Sequence, residues 1–129
     1  MQALNIQNFN FQNPILSNFE TLQGDIFLAD FGEGIGSEQS NVRPCVIMSN
    51  NINNKHSPTI TVVPITSKLR NQPTRANINN NCLYRESQAA AEQIRTIDKK
   101  RLLKFMGELD KITLKKIKEA IKTQMDILN

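Results

Sequence analysis

Tryptophan is absent from this sequence, tyrosine occurs once, and aromatic residues make up only 5% of it. The core must therefore come from aliphatic side chains, chiefly Ile, Leu and Val. Histidine is equally scarce: His56 is alone, so it makes no metal site by itself, and a His-dependent triad has no second histidine to draw on. The two cysteines, Cys45 and Cys82, form no CxxC pair. That fits neither a disulfide framework nor a zinc knuckle, and both are read as reduced thiols. No run of 18 or more apolar residues occurs, which excludes a membrane-spanning helix. The opening MQALNIQNFNFQNPILSNFE has neither a basic stretch nor a continuous apolar one, so a cytoplasmic protein is expected.

What is present is the composition of one globular domain: 129 residues, 39% hydrophobic and 22% charged. The formal net charge of +4 hides an asymmetry. Residues 1–67 carry two Lys/Arg against five Asp/Glu, and residues 68–129 carry fourteen against seven. A basic half suits a polyanion such as RNA, but a water-facing lysine-rich helix produces the same count.

Residues 1–21 are rich in Asn and Gln, with Phe9, Phe11 and Phe19 scattered among them and no periodicity. They read as an extension that is disordered, docked on the domain, or a partner-binding or dimer-modifying arm. From Gly24 the pattern becomes regular. DIFLADF alternates Ile26 and Leu28 with Phe27, Ala29 and Phe31, which predicts a short buried strand. A glycine-rich loop, GEGIG, follows. VRPCVIMSN predicts a second strand, NNINNKHSP a polar turn, and PTITVVPITS a β-branched third strand. KLRNQPTRANINNN is mixed, a loop with an edge strand. ESQAAAEQIRTI fits strand or helix by propensity. After Asp98, DKKRLLKFMGEL and DKITLKKIKEAIKTQMDIL take on a helical character, with Ile117, Ile121, Met125 and Leu128 at helical spacing. Asp98 and Asp110 are read as N-caps, and the chain is expected to end in an amphipathic helix of about four or five turns. Short strands followed by such a helix suggest a small curled sheet that the helix closes.

Four segments carry more than pattern: Gly24-Asp25, GSEQSNVRP at 36–44, HSPTITVVPITSK at 56–68 and EQIRTIDKKRL at 92–102. In that order and spacing they resemble the MazF/PemK family of toxin endoribonucleases over roughly residues 22–128. The resemblance implies a mainly β (α+β) fold, a small SH3-like β-barrel with a C-terminal α-helix over residues 22–129. It also implies a homodimer, single-stranded RNA as substrate, cleavage without a metal or other cofactor, and inhibition by a cognate antitoxin protein. In that family the Arg of SEQxxxRP and the Thr of the strand-ending ITS motif are tied most closely to cleavage; they fall on Arg43 and Thr66. Glu38, Ser37, Gln39, Pro44, Ser67 and Gln93 fall on or beside the motif positions near the substrate.

The chemistry fits these residue types. Without a metal, the ribose 2′-OH can attack its own phosphate, so the site must hold a phosphate and stabilise a dianionic phosphorane. Arg43 brings a permanent charge and five N–H donors, and the Pro after it biases its backbone to extended geometry. Thr66 can donate to a phosphoryl oxygen. Glu38 is the one carboxylate of the motif and hence the candidate base. The alternative is that orientation and charge stabilisation suffice without a base. Bland roles compete throughout: a structural ion pair of Arg43 with Asp25, Asp30 or Glu38, and an ordinary strand Thr at 66. A different class of function is a non-catalytic relative on the same fold that binds gyrase, as CcdB-type toxins do, or binds only an antitoxin or RNA.

Several departures from the family pattern carry expectations, among them Gly32-Glu33-Gly34 in place of a Pro-containing loop that in the family helps choose the RNA sequence. Ser40-Asn41 replaces a frequent Gly-Gly pair, and Asn tolerates the left-handed backbone a turn there needs. Residues 89–91 are alanines where relatives carry larger aliphatics.

Overall fold

The computed structural model describes residues 20–33, 36 and 41–128. All but the last two residues of the N-terminal extension, 1–19, therefore lie outside the described residues.

Seven strands form an antiparallel sheet: β1 (Asp25–Asp30), β2 (Val42–Ile47), β3 (Thr59–Thr66), β4 (Arg75–Ile78), β5 (Ser87–Ala90), β6 (Arg95–Asp98) and β7 (Leu102–Glu108). Helix α1 (Asn51–His56) joins β2 to β3, and α2 (Lys111–Met125) follows β7. The strand path runs β4-β5-β3-β2-β1-β7, with β6 beside β3. The 3-10 turn Ala91–Gln93 separates β5 from β6. Those two short strands therefore take successive stretches of one partner, β5 on Ile65 and Thr66 and β6 on residues 59–62.

Alternation along each strand splits the core into two clusters, one on either face of the sheet. Ile26, Val46, Val63, Ile65, Ala76, Ile78 and Ala89 face one way and pack against Ile117 and Ala120 of α2. Phe27, Ala29, Cys45, Ile47, Ile60, Val62 and Ile97 fill the other side. Phe105 of β7 adds an edge-on ring contact to Phe27, with centroids 5.5 Å apart. The alanines at 89–91 are all buried. Gly24, with φ +94°, takes a backbone conformation that other residues rarely adopt, and Leu114 of α2 packs beside it.

The first three strands match the alternation of the sequence. ESQAAAEQIRTI resolves as strand, 3-10 turn and strand. Three expectations change. The predicted polar turn at 51–56 is a helix, because Asn50 caps it by accepting from Asn53 N–H at 2.8 Å and the buried Asn54 side chain donates to Ser49 O at 2.8 Å. The segment after Asp98 is not the start of a helix. Asp98 caps a 3-10 turn of only three residues, accepting from Lys100 N–H, and the chain then pairs with β1 as β7. At the C-terminus Asp126 takes left-handed geometry and ends the helix, so Leu128 lies beyond it and is exposed. Asp110 does stand at the N-cap of α2, without a side-chain capping bond. Among the described residues no helix is long and apolar enough to cross a membrane.

Candidate active site

Arg43 is the second residue of β2 and is half-buried; Thr66 is the last residue of β3 and only 5% exposed. The β2-β3 ladder pairs Ile47 with Val62, Val46 with Val63 and Cys45 with Pro64. Carried two residues further, that register brings Arg43 level with Thr66 on the same face of the sheet. The seam holds two prolines, Pro44 and Pro64, that lack a backbone N–H. Regular pairing stops at Pro64, two residues short of the Arg43–Thr66 position.

The row continues on both sides. Ala29 of β1 pairs with Arg43, Gln88 of β5 pairs with Thr66, and Asn77 of β4 pairs with Gln88. Five neighbouring strands thus put Ala, Arg, Thr, Gln and Asn on one line. Ala29 leaves room beside the long Arg43 side chain, and the polar residues extend the line outward from the apolar cluster on this face.

Thr66 has a directed hydroxyl. Its Oγ1 accepts from Lys68 N–H at 3.0 Å, which leaves its own O–H hydrogen to donate elsewhere. Ser67, immediately after it, is exposed, and Pro44 is half-buried. Gln93 lies on the 3-10 turn between β5 and β6, beside the stretch of β3 that leads to Thr66.

The described residues at the two ends of the β1-β2 connection are bonded to each other. Asn41 has φ +64°, the left-handed turn expected of it in place of glycine. Phe31 N–H donates to Asn41 O at 2.9 Å, and Asn41 N–H donates to Gly32 O. Two arginines brace the start of the loop: Arg101 donates to Asp30 O at 3.1 Å, and Arg95 lies 5.3 Å over the Phe31 ring. Ser37, Glu38 and Gln39 fall outside the described residues, as does Gly34.

Beside Thr66 lies a set of polar residues that the sequence reading did not single out. Arg75, with its side chain 4% exposed, donates from Nε to Glu92 Oε2 at 2.7 Å. Thr74 Oγ1 donates to Glu92 Oε1 at 3.0 Å. Burial pushes the Glu92 carboxyl up, but its own backbone N–H, Arg75 and Thr74 outweigh that and hold it below its ordinary value. The one available signal was a glutamine, Gln88, set within the small-residue run SQAAA. The Arg75–Glu92 pair joins β4 to the 3-10 turn after β5 and gave no local pattern. His56 is exposed at the end of α1. Cys45 is buried in the apolar cluster, and that burial pushes its thiol up to about 12.

Residues 22–125 match the family described as PemK-like, MazF-like toxin of type II toxin-antitoxin system, and the chain belongs to that family. Endoribonuclease EndoA of Bacillus subtilis is 36% identical over 111 residues, which span 83% of this chain and 96% of that protein. Among solved structures, an endoribonuclease from a mycobacterial species in complex with its cognate antitoxin superposes with a TM-score of 0.72 at 28% identity, covering 84% of this chain and 97% of that one. MazF from Deinococcus radiodurans gives a TM-score of 0.75 over 85% of this chain and 100% of its own; at 18% identity this is a likeness of fold.

Proposed function

We propose that the chain is an endoribonuclease toxin that cuts single-stranded RNA through attack of the ribose 2′-OH, without a metal ion, and that Arg43 and Thr66 act together on the scissile phosphate. The single observation behind the site assignment is the β2-β3 register: continued past the Cys45–Pro64 pair, it sets Arg43 opposite Thr66, whose hydroxyl oxygen accepts from Lys68 N–H. The endoribonuclease names of the relatives support the reaction class.

In the reaction the 2′-oxygen bonds to phosphorus as its proton departs, and the bond to the 5′-oxygen breaks as that oxygen takes up a proton. The products are a 2′,3′-cyclic phosphate and a 5′-OH. Arg43 neutralises charge that grows on the phosphoryl oxygens, a role suited to a group that stays protonated. Thr66 donates its O–H hydrogen to one of those oxygens. Glu38 is the candidate group to take the 2′-OH proton. Ser37, Gln39, Pro44, Ser67 and Gln93 border the RNA, whose unstacked bases a basic groove can hold.

The sheet is read as an SH3-like barrel. The two ends of its strand path approach each other in support: Asn80, in the β4-β5 connection, donates from Nδ2 to Glu108 O of β7 at 3.0 Å, and Cys82 lies against Gly107. A homodimer and a cognate antitoxin complete the proposal, the latter supported by the mycobacterial complex.

The test is to incubate the purified, antitoxin-free protein with a long single-stranded RNA and EDTA and to map the fragment ends. Discrete cuts with 5′-OH ends are expected. Intact RNA, with gyrase supercoiling inhibited in a parallel assay, would replace this reading by a binding-only toxin.

A further inference from the structure

After Thr66 the chain turns into the exposed stretch 67–71, yet its backbone is held by side chains from beneath. Gln88 is 8% exposed, and its side-chain amide makes four hydrogen bonds. Its Oε1 accepts from Arg70 N–H at 3.0 Å and from Arg75 Nη1 at 3.2 Å. Its Nε2 donates to Arg70 O at 3.1 Å and to Asn77 Oδ1 at 2.9 Å. One amide therefore grips both polar backbone groups of Arg70 while using both donors and both acceptor positions of its own. Arg75 holds the next point: its Nη1 donates to Lys68 O at 2.8 Å, while its Nε is fixed on Glu92. Lys68 is thus tied at both backbone groups, through its carbonyl to Arg75 and through its N–H to the Thr66 hydroxyl oxygen.

We infer that Gln88, with Arg75 and Glu92 behind it, is a positioning residue that aims the Thr66 hydroxyl by clamping the backbone of 68–70. The inference rests on the proposed role of Thr66. The path is short and continuous: Glu92 orients Arg75, Arg75 and Gln88 fix the loop, and the fixed Lys68 N–H occupies the acceptor side of Thr66 Oγ1. A loop held only by its own residues would leave the threonine free to turn among staggered positions, and its hydrogen would meet the phosphate for part of the time. The fully bonded amide explains why a glutamine lies buried among alanines in SQAAA. It also separates two jobs on this row: Arg43 and Thr66 touch the substrate, and Gln88 acts through Thr66.

The experiment compares wild type, Gln88→Met and Gln88→Glu, with Thr66→Ala as reference, by two readouts. Amide hydrogen exchange at Lys68 and Arg70 reports the clamp without any need for catalysis. RNA cleavage, resolved into kcat and KM, reports its consequence. Gln88→Met should accelerate Arg70 amide exchange by on the order of 10² and lower kcat by about tenfold or more, with KM within about threefold. Gln88→Glu keeps an acceptor for Arg70 N–H and for Arg75 but loses both donors, so its kcat should fall between the two. It also serves if the methionine variant does not fold. A folded variant with wild-type exchange at Arg70 would remove the clamp. Accelerated exchange with kcat within twofold of wild type would make the clamp purely structural. Full activity in Thr66→Ala would instead overturn the role of Thr66, while the exchange data would still decide whether Gln88 holds the loop.

Discussion

One face of the sheet carries two regions built by different physics. Toward its middle, Phe27, Cys45, Ile47, Ile60 and Val62 pack together as one buried apolar cluster. At its edge, Arg43, Thr66, Gln88 and Asn77 continue the same rows, with Arg75 and Glu92 bonded behind them. Apolar burial is nearly non-directional and tolerates changes that conserve volume. The polar region depends on particular donors meeting particular acceptors, and any group left unmatched there is penalised by its desolvation. The difference teaches where this chain can vary: the middle fixes only shape, whereas the edge fixes particular atoms.

The comparison can be broken most sharply at the phosphate. Arg43→Ala should lower RNA cleavage by on the order of 10² or more while circular dichroism and melting show the fold retained. Full activity in the folded variant would remove Arg43 from the mechanism. Next in size is the ion pair behind the site. Arg75→Met strands the Glu92 carboxylate and should destabilise the protein by about 3 kcal/mol in urea unfolding. A shift below about 1 kcal/mol would class the pair with weak surface bridges. In the apolar region, Ile47→Val should cost about 1 kcal/mol and leave cleavage within about twofold. A large activity loss there would erase the distinction between the regions.

Smaller effects come from titration. The folded state holds Glu92 below its ordinary value of 4.5. Its contribution to stability is therefore complete above pH 4.5 and is lost as pH falls through the lowered folded value. Asp25 works the other way: burial raises its carboxyl above the ordinary 3.8, despite the Leu22 N–H that it accepts. It favours the fold most below 3.8, and that advantage fades as pH rises through its raised value. Glu92→Gln should therefore flatten the acid limb of a urea-midpoint-versus-pH curve, and Asp25→Asn should steepen it. The least effect is on thiol reactivity. Cys45 is fully buried with its thiol near 12, and Cys82 is half-buried. A thiol reagent at pH 8 should modify Cys82 slowly and Cys45 only after unfolding.

The two regions also differ in how far the sequence disclosed them. Strands β1, β2 and β3 show in the alternation of DIFLADF, VRPCVI and TITVVPIT, because each has buried apolar residues on both faces. Arg43 and Thr66 were legible through motif position, and their mutual alignment follows only from the β2-β3 register. Helix α1 was hidden because asparagines, through caps and buried amides, hold NINNKH together without an apolar stripe. Strand β7 was hidden because KKRLLKF mixes lysines with leucines in no clean period; its partner β1 decides its conformation. Gln88, Arg75 and Glu92 come from two strands and a turn, so their assembly depended on long-range pairing that local pattern does not encode.

The central claim is that Arg43 and Thr66 serve one phosphate as a unit. A double-mutant cycle of Arg43→Ala, Thr66→Ala and the combined variant, followed by single-turnover cleavage of one defined RNA, tests it directly. The account predicts strong non-additivity, with the combined variant losing little more than the worse single variant. Losses that multiply would contradict it and assign the two residues to independent tasks.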